Sequence, residues 1–423
     1  MSGLRKRGHS NVAWSDFKVE KRETMKLPRG FEFGGLACGI KASGKKDLAL
    51  IMTRQPSVAA GVYTQNVVCA ASIDWNRSIT PSADFHAVVV NSGNANACTG
   101  EQGVKDNRTI ANLVAQSLTT DGLPVKAESV AVLSTGVIGH ALPMDVVTPG
   151  ISELAGVVDD SQEGFVAAAE AIMTTDKSRK VASREVQIGS DTVAVVGMAK
   201  GAGMIGPNMA TMLGIVCTDA NVSTDQAAAM VKSAADRSFN RISVEGHTST
   251  NDALILICSG QTGPAIENDA DLAVLQQAID EVCLETAKLI PADGEGATHL
   301  LEIQIEGANS DADAEQIART IASSNLVKTA ITGADPNWGR IVSAAGYAGV
   351  PMELNKTRLE LNGFPIFDKG EPLDFDAQQV SDAIKNSFET NIGLVVGTGS
   401  GKAIHWTSDL TVDYVRFNSE YTT

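Results

Sequence analysis

Thr211 follows a small residue at the end of a loop rich in glycine, in the stretch KGAGMIGPNMATMLGIVCTD that runs from Lys200 to Asp219. A hydroxyl placed after small Ala210 can attack the preceding carbonyl and release a chain that begins with threonine, whose α-amine then sits beside its own hydroxyl. With a pKa of about 8, that amine is a usable general base near neutral pH, whereas an internal threonine needs a separate base. The plainer reading of the same loop is a tight turn built from its glycines and Pro207.

Other candidate motifs compete. Gly201-Ala-Gly203-Met-Ile-Gly206 matches G-x-G-x-x-G after a strand-like run, with Asp219 beyond it, as in a dinucleotide site. That site needs a helix starting on the last glycines, yet Pro207 and Asn208 follow and a second strand-like run starts at Leu213. Gly397-Thr-Gly-Ser-Gly401-Lys402 is one residue short of a phosphate loop and has Ala403 where a metal-binding hydroxyl belongs, so it reads as a turn between strands. The six histidines form no H-E-x-x-H and no pair at ligand spacing, and no metal site is expected.

These residues must be positioned by alternating helical and extended segments. Helical periodicity predicts helices near 106–119, 161–174, 223–238, 270–290, 312–324 and 376–389. Ser223 with Gln226 has capping-box spacing, and Asp376 opens a run with Val380, Ile384 and Phe388 on one stripe. Apolar runs predict strands at 48–52, 87–90, 130–133, 192–196, 213–217, 253–258 and 300–305. Strands pair near 183–220 and around the Asn362-Gly363 turn, which predicts mixed α/β content arranged as α+β layers with antiparallel sheets.

Charge narrows the function classes. With 34 basic and 50 acidic residues the net charge is −16, which disfavours nucleic acid and anionic lipid and favours cationic small molecules. No apolar run approaches the about 20 residues that span a bilayer, so no membrane partner is expected. The six cysteines contain no C-x-x-C pair and mostly lie in apolar runs, as in a reducing compartment. Asp16, Glu20 and Glu23 do not suit a transit peptide, so residues 1–26 read as a polar extension of a cytoplasmic protein.

From about Pro28 to Thr423 the chain resembles the ornithine acetyltransferase (glutamate N-acetyltransferase) family. The likeness rests on Asn91-Ser-Gly-Asn-Ala-Asn-Ala-Cys98, Ser134-Thr-Gly-Val-Ile-Gly139, Met173-Thr-Thr-Asp176, Lys200 to Asp219, Ser249-Thr-Asn-Asp252, Asp293-Gly-Glu-Gly296 and Ala334-Asp-Pro-Asn-Trp-Gly-Arg340, in that order.

The resemblance implies self-cleavage between Ala210 and Thr211 into chains 1–210 and 211–423, assembled as an α2β2 heterotetramer with a layered fold akin to N-terminal nucleophile hydrolases. It implies Thr211 as the nucleophile that carries acetyl from N-acetylornithine to glutamate in arginine biosynthesis, and Thr135 with Gly136 as the oxyanion pair. Substrate contacts would fall on Thr174 (or Thr175), Lys200, Thr211, Glu295, Asn418 and Thr423. No metal or redox cofactor is implied, while acetyl-CoA is a possible second acetyl donor. His247, where many relatives have a carboxylate, and the absence of an arginine before Thr423 depart from the family pattern. The competing readings are an N-terminal nucleophile amidase or peptidase, a dinucleotide-dependent oxidoreductase, and a binding protein that is never cut.

Overall fold

Runs of Val, Ile, Leu and Ala too apolar for a solvent-facing strand form the central strands of the computed structural model, which describes residues 25–120, 123–206, 212–263 and 265–420. The chain divides into two compact bodies. Among the described residues, one comprises residues 25–295 together with those from Asp413, and the other is Gly296–Val412.

In the first body the strands are β1 (Phe31–Leu36), β2 (Leu48–Tyr63), β3 (Ser82–Asn94), β4 (Val130–Val137), β5 (Lys180–Ile188), β6 (Asp191–Lys200), β7 (Leu213–Ala220), the short β8 (Ile242–Ser243) and β9 (Ala253–Thr262). Pairing runs β4-β3-β2-β9-β7-β6-β5, with β1 added on β2. Strands β3 and β4 are parallel, as are β7 and β9, and the other pairs are antiparallel. The sheet is therefore mixed, which corrects the expectation of antiparallel sheets. Strand β2 slips register between Met52 and Ser57 and again between Ser57 and Ala59, irregularities that bend and twist a strand.

Helices α1 (Ala71–Ile79), α2 (Gly100–Leu118), α3 (Met144–Ala155), α4 (Gln162–Ala171), α5 (Thr224–Arg237) and α6 (Asp269–Ala292) pack on these strands. Ile110, Val114, Val147, Ile151 and Leu154 of α2 and α3 close one core against Leu50, Met52, Val89, Val130 and Val132. Helix α4 covers β1, where Phe165 meets Phe33 edge to face at 5.2 Å, and α6 lies along β5 and β6. Ser223 and Gln226 form the expected capping box at the start of α5.

The second body has strands β10 (Leu300–Ala308), β11 (Arg358–Leu361), β12 (Phe364–Asp368), β13 (Glu371–Pro372), β14 (Glu389–Val395) and β15 (Gly401–Ser408), paired in the order β13-β12-β11-β14-β10-β15. Asn362 and Gly363 both have positive φ, the signature of the two-residue turn expected between β11 and β12. Here too a parallel pair, β10 with β14, sits among antiparallel ones. Helices α7 (Asp311–Ala322), α8 (Asn325–Thr332), α9 (Trp338–Gly346) and α10 (Ala377–Lys385) complete a core of Ile303, Ile305, Ile317, Ile321, Ile341, Leu359, Ile384 and Ile392. Helix α10 stops at Lys385, three residues short of Phe388, because Phe388 leads into β14 and its carbonyl accepts from Leu300 N–H. Residues 396–400 connect β14 to β15, in keeping with a turn rather than a phosphate loop. A last helix, α11 (Val412–Glu420), follows, and its residues from Asp413 belong to the first body.

Candidate active site

Strand ends and loop segments of the first body converge on a cavity of about 210 Å³. Strand β4 carries Thr135 and Gly136 just before its last residue, Val137, and β6 ends on Lys200. The loop after β6 supplies Gly203 and Met204, the loop after α4 supplies Thr174 and Thr175, and the loop beyond β8 supplies Glu245, His247, Ser249, Thr250 and Asn251. Glu295 lies just beyond α6, and Tyr414 and Asn418 come from α11. Of the residues expected from sequence, Thr135, Gly136, Thr174, Lys200, Glu295 and Asn418 line this one cavity, with Thr175 beside Thr174. Ala210, Thr211 and Thr423 lie outside the described residues.

Backbone chemistry explains the glycines. Gly136 has φ +135, and a Cβ there would sit 2.3 Å from the carbonyl carbon of Gly93 in the neighbouring strand. A Cβ on Gly203 would meet the Glu295 carboxylate at 2.4 Å, and Glu295 N–H donates to the Ala202 carbonyl. The Gly201–Gly206 fingerprint is thus used for close packing. Moreover, β6 and β7 pair antiparallel with Lys200 opposite Leu213, so the parallel crossover of a dinucleotide site is absent.

Polar contacts hold the wall segments. Asn251 Nδ2 donates to the carbonyls of Ala95 and Ser134 at 2.6 and 2.8 Å, and Ser134 Oγ donates to Asn91 Oδ1. Asn94 Nδ2 donates to the carbonyls of His140 and Ala141. The asparagine-rich Asn91–Cys98 segment therefore ties the end of β3 to the end of β4. His247 is exposed, with its N–H 3.4 Å from Glu245 Oε1.

Charge is concentrated beneath the cavity. Lys180 is fully buried and donates to Asp176 Oδ1 and Asp293 Oδ2, each at 2.7 Å. Asp176 also accepts from the N–H groups of Thr174 and Gly201, and Asp293 from those of Lys177 and Ser178. Burial alone would raise the pKa of Asp176, but Lys180, Lys200 and the Gly201 N–H hold it well below the usual carboxylate range. Burial pushes Lys200 below the ordinary lysine value and Lys180 adds to this, while Asp176, Asp252 and Glu295 pull the other way. Lys200 Nζ donates to Thr135 Oγ1 at 3.3 Å. Buried Asp252 accepts from Met212 N–H at 2.8 Å, and burial pushes its carboxyl well above the usual range. Burial pushes Tyr414, another lining residue, up to about 12, with Glu245 and Glu295 contributing.

Asp176, Lys180, Glu245, Asn251 and Asp252 were not among the site residues expected from sequence. Asp176, Asn251 and Asp252 fall inside segments that carry the family likeness, so the signal was the segment and not the residue. Lys180 and Glu245 fall in none of those segments. Among the described residues no group of three or more His, Cys, Asp or Glu side chains could hold a metal ion, and no helix is long and apolar enough to cross a membrane.

Residues 32–423 match the ArgJ family model. An arginine biosynthesis bifunctional protein ArgJ from Rhodopirellula baltica is 50% identical over 403 residues, covering 94% of this chain and 96% of its own. The chloroplastic ArgJ protein of Citrullus lanatus is 42% identical over 406 residues, 93% of this chain and 87% of its own. Among solved structures, an ornithine acetyltransferase from Mycobacterium tuberculosis complexed with ornithine is 40% identical, with a TM-score of 0.39, covering 44% of this chain and 94% of its own. With a family model spanning nearly all of its length and a half-identical relative along 94% of it, the chain belongs to the ArgJ family of arginine-biosynthesis acetyltransferases.

Proposed function

We propose that the chain cuts itself between Ala210 and Thr211 and that the freed Thr211 carries acetyl from N-acetylornithine to glutamate. Its hydroxyl oxygen attacks the acetyl carbonyl, the carbon–nitrogen bond breaks, and ornithine leaves with a proton on its amine. The freed α-amine of Thr211 relays that proton, since α-amines ordinarily titrate at about 8, close to neutral pH. The amine of glutamate then attacks the acetyl ester, its carbon–oxygen bond breaks, and the Thr211 hydroxyl is restored as N-acetylglutamate departs.

The observation that carries this reading is that Lys200 and Glu295, opposite in charge, line the same cavity as Thr135 and Gly136. A zwitterion with a cationic tail suits such walls, its α-carboxylate toward Lys200 and its ammonium toward Glu295. Thr135 and the Gly136 N–H would face the tetrahedral oxygen. Asp252 holds the N–H of Met212, the residue that follows Thr211 in the chain, and its neighbour Asn251 is a wall residue. Acetyl-CoA is proposed as a second donor to the same hydroxyl, and the assembly as an α2β2 heterotetramer of the two cleavage products.

A denaturing gel with N-terminal sequencing tests the cleavage, and brief exposure to N-acetylornithine alone should add one acetyl group to the peptide that begins at Thr211. Parallel double-reciprocal lines are expected from the covalent intermediate. A single uncut band from active enzyme would overturn the reading. Release of free acetate that glutamate does not divert would identify a hydrolase instead.

A further inference from the structure

The hydroxyl of Thr135 is buried and accepts one hydrogen bond, from Lys200 Nζ at 3.3 Å. Among the described residues its own hydrogen has no protein acceptor, and its side chain lines the cavity. A hydroxyl has one hydrogen and two acceptor positions. Once an ammonium occupies one of the acceptor positions, the hydrogen is turned away from Lys200 and the O–H bond is polarised, so it becomes a fixed and stronger donor toward whatever sits in the cavity.

Lys200 is itself held in place. Its backbone closes the β6–β7 ladder opposite Leu213, and the next N–H, that of Gly201, donates to Asp176 Oδ1 at 2.7 Å. Asp176 is anchored in turn by Lys180 and Thr174 N–H. The ammonium therefore meets the Thr135 hydroxyl from a rigid strand end.

We propose that Lys200 is a positioning residue for acetyl transfer that acts through Thr135, orienting and polarising its hydroxyl toward the tetrahedral oxygen, in addition to any contact it makes with a substrate carboxylate. Three ammonium hydrogens allow both tasks. The inference rests on the oxyanion role proposed above for Thr135, and the two tasks separate kinetically. Loss of a carboxylate contact made equally in ground and transition states raises KM, whereas loss of oxyanion stabilisation lowers kcat.

The test measures kcat and KM for N-acetylornithine with glutamate, per processed chain counted on a denaturing gel, in Lys200→Met, Lys200→Gln, Thr135→Val and the double variant Lys200→Met/Thr135→Val. Thr135→Val should lower kcat by roughly 10² to 10³. Lys200→Met should lower kcat at least tenfold in the wild-type background but less than threefold in the Thr135→Val background. Lys200→Gln keeps an uncharged N–H donor and should fall between wild type and Lys200→Met in kcat. If Lys200→Met fails to fold, Lys200→Gln alone, with and without Thr135→Val, carries the same comparison. Losses in kcat that multiply in the double variant, or Lys200 variants that change only KM, would overturn the inference and leave the oxyanion role of Thr135 intact. Wild-type kcat in Thr135→Val would instead remove that role, and the inference with it.

Discussion

Asn418 Nδ2 donates to Glu295 Oε2 over 3.0 Å, so the last helix holds the carboxylate on the acidic wall of the cavity. Asn418 also donates to the Tyr414 carbonyl one turn back, which fixes the amide on its own helix. If Glu295 receives the cationic end of ornithine, Asn418→Ala should raise KM for N-acetylornithine and leave kcat within twofold. A net hydrogen bond of about 0.5–1.5 kcal/mol corresponds to a rise of roughly two- to tenfold. Steady-state kinetics with each substrate varied separately would check it, and an unchanged KM would remove Asn418 from the substrate contacts.

Removing Lys180 leaves two buried carboxylates without their shared cation. Lys180→Met should cost about 3–5 kcal/mol, the range for breaking a buried pair from one side. Urea unfolding followed by circular dichroism measures this directly. A loss below 1 kcal/mol would mean that water or a rearranged side chain replaces the ammonium.

Acid stability follows from the same cluster. The folded pKa of Asp176 is depressed, so the unfolded chain binds more protons in that range and stability rises with pH there. The contribution is fully present above the unfolded value of about 4 and is lost as pH falls from there through the folded value. Wild-type stability should therefore drop below about pH 4, and Asp176→Asn should flatten that part of the profile while lowering stability at neutral pH. Unfolding curves at pH 7, 4 and 3 for both proteins provide the comparison.

Two glycines should respond in opposite ways to a methyl group. Gly136→Ala places a Cβ against the backbone of Gly93 and Asn94 in a positive-φ conformation, so it should abolish transfer or folding. Gly346→Ala, at the end of α9, meets nothing within 4 Å and should leave the melting temperature within a few degrees of wild type. A fully active Gly136→Ala enzyme would show that the β3–β4 ends are looser than this packing requires.

Residues 207–211 lie outside the described structure, and cleavage is expected from the hydroxyl that follows small Ala210 together with the family likeness of Lys200 to Asp219. Thr211→Ala removes the hydroxyl and should remain one full-length chain, inactive in transfer, on a denaturing gel. Thr211→Ser keeps the hydroxyl and should still be cut, more slowly.

Local interactions account for what could be read from the sequence by itself. The capping box of Ser223 and Gln226, the Asn362-Gly363 turn and the apolar runs of the central strands depend on neighbours within a few residues, and all were legible. The family likeness added the acetyltransferase reading. Helix α3 was missed because Pro149 interrupts its pattern, and α11 because its nine residues are fewer than the window over which helical periodicity can be read. The parallel pairs were missed because an apolar run records burial and not the direction of its neighbour. Only the tertiary structure placed Lys180 between Asp176 and Asp293, 113 residues further on, and Lys200 against Thr135. In the pairing order β3, β2, β9 and β7 stand between the strands that carry these last two residues, and a flat sheet would hold them about 24 Å apart. They meet at 3.3 Å, so the sheet cannot be flat: β2 pairs with β3 over Leu48–Ala59 and with β9 over Val58–Tyr63, slipping register twice, and these pairings across the whole sheet are encoded in no short window of sequence.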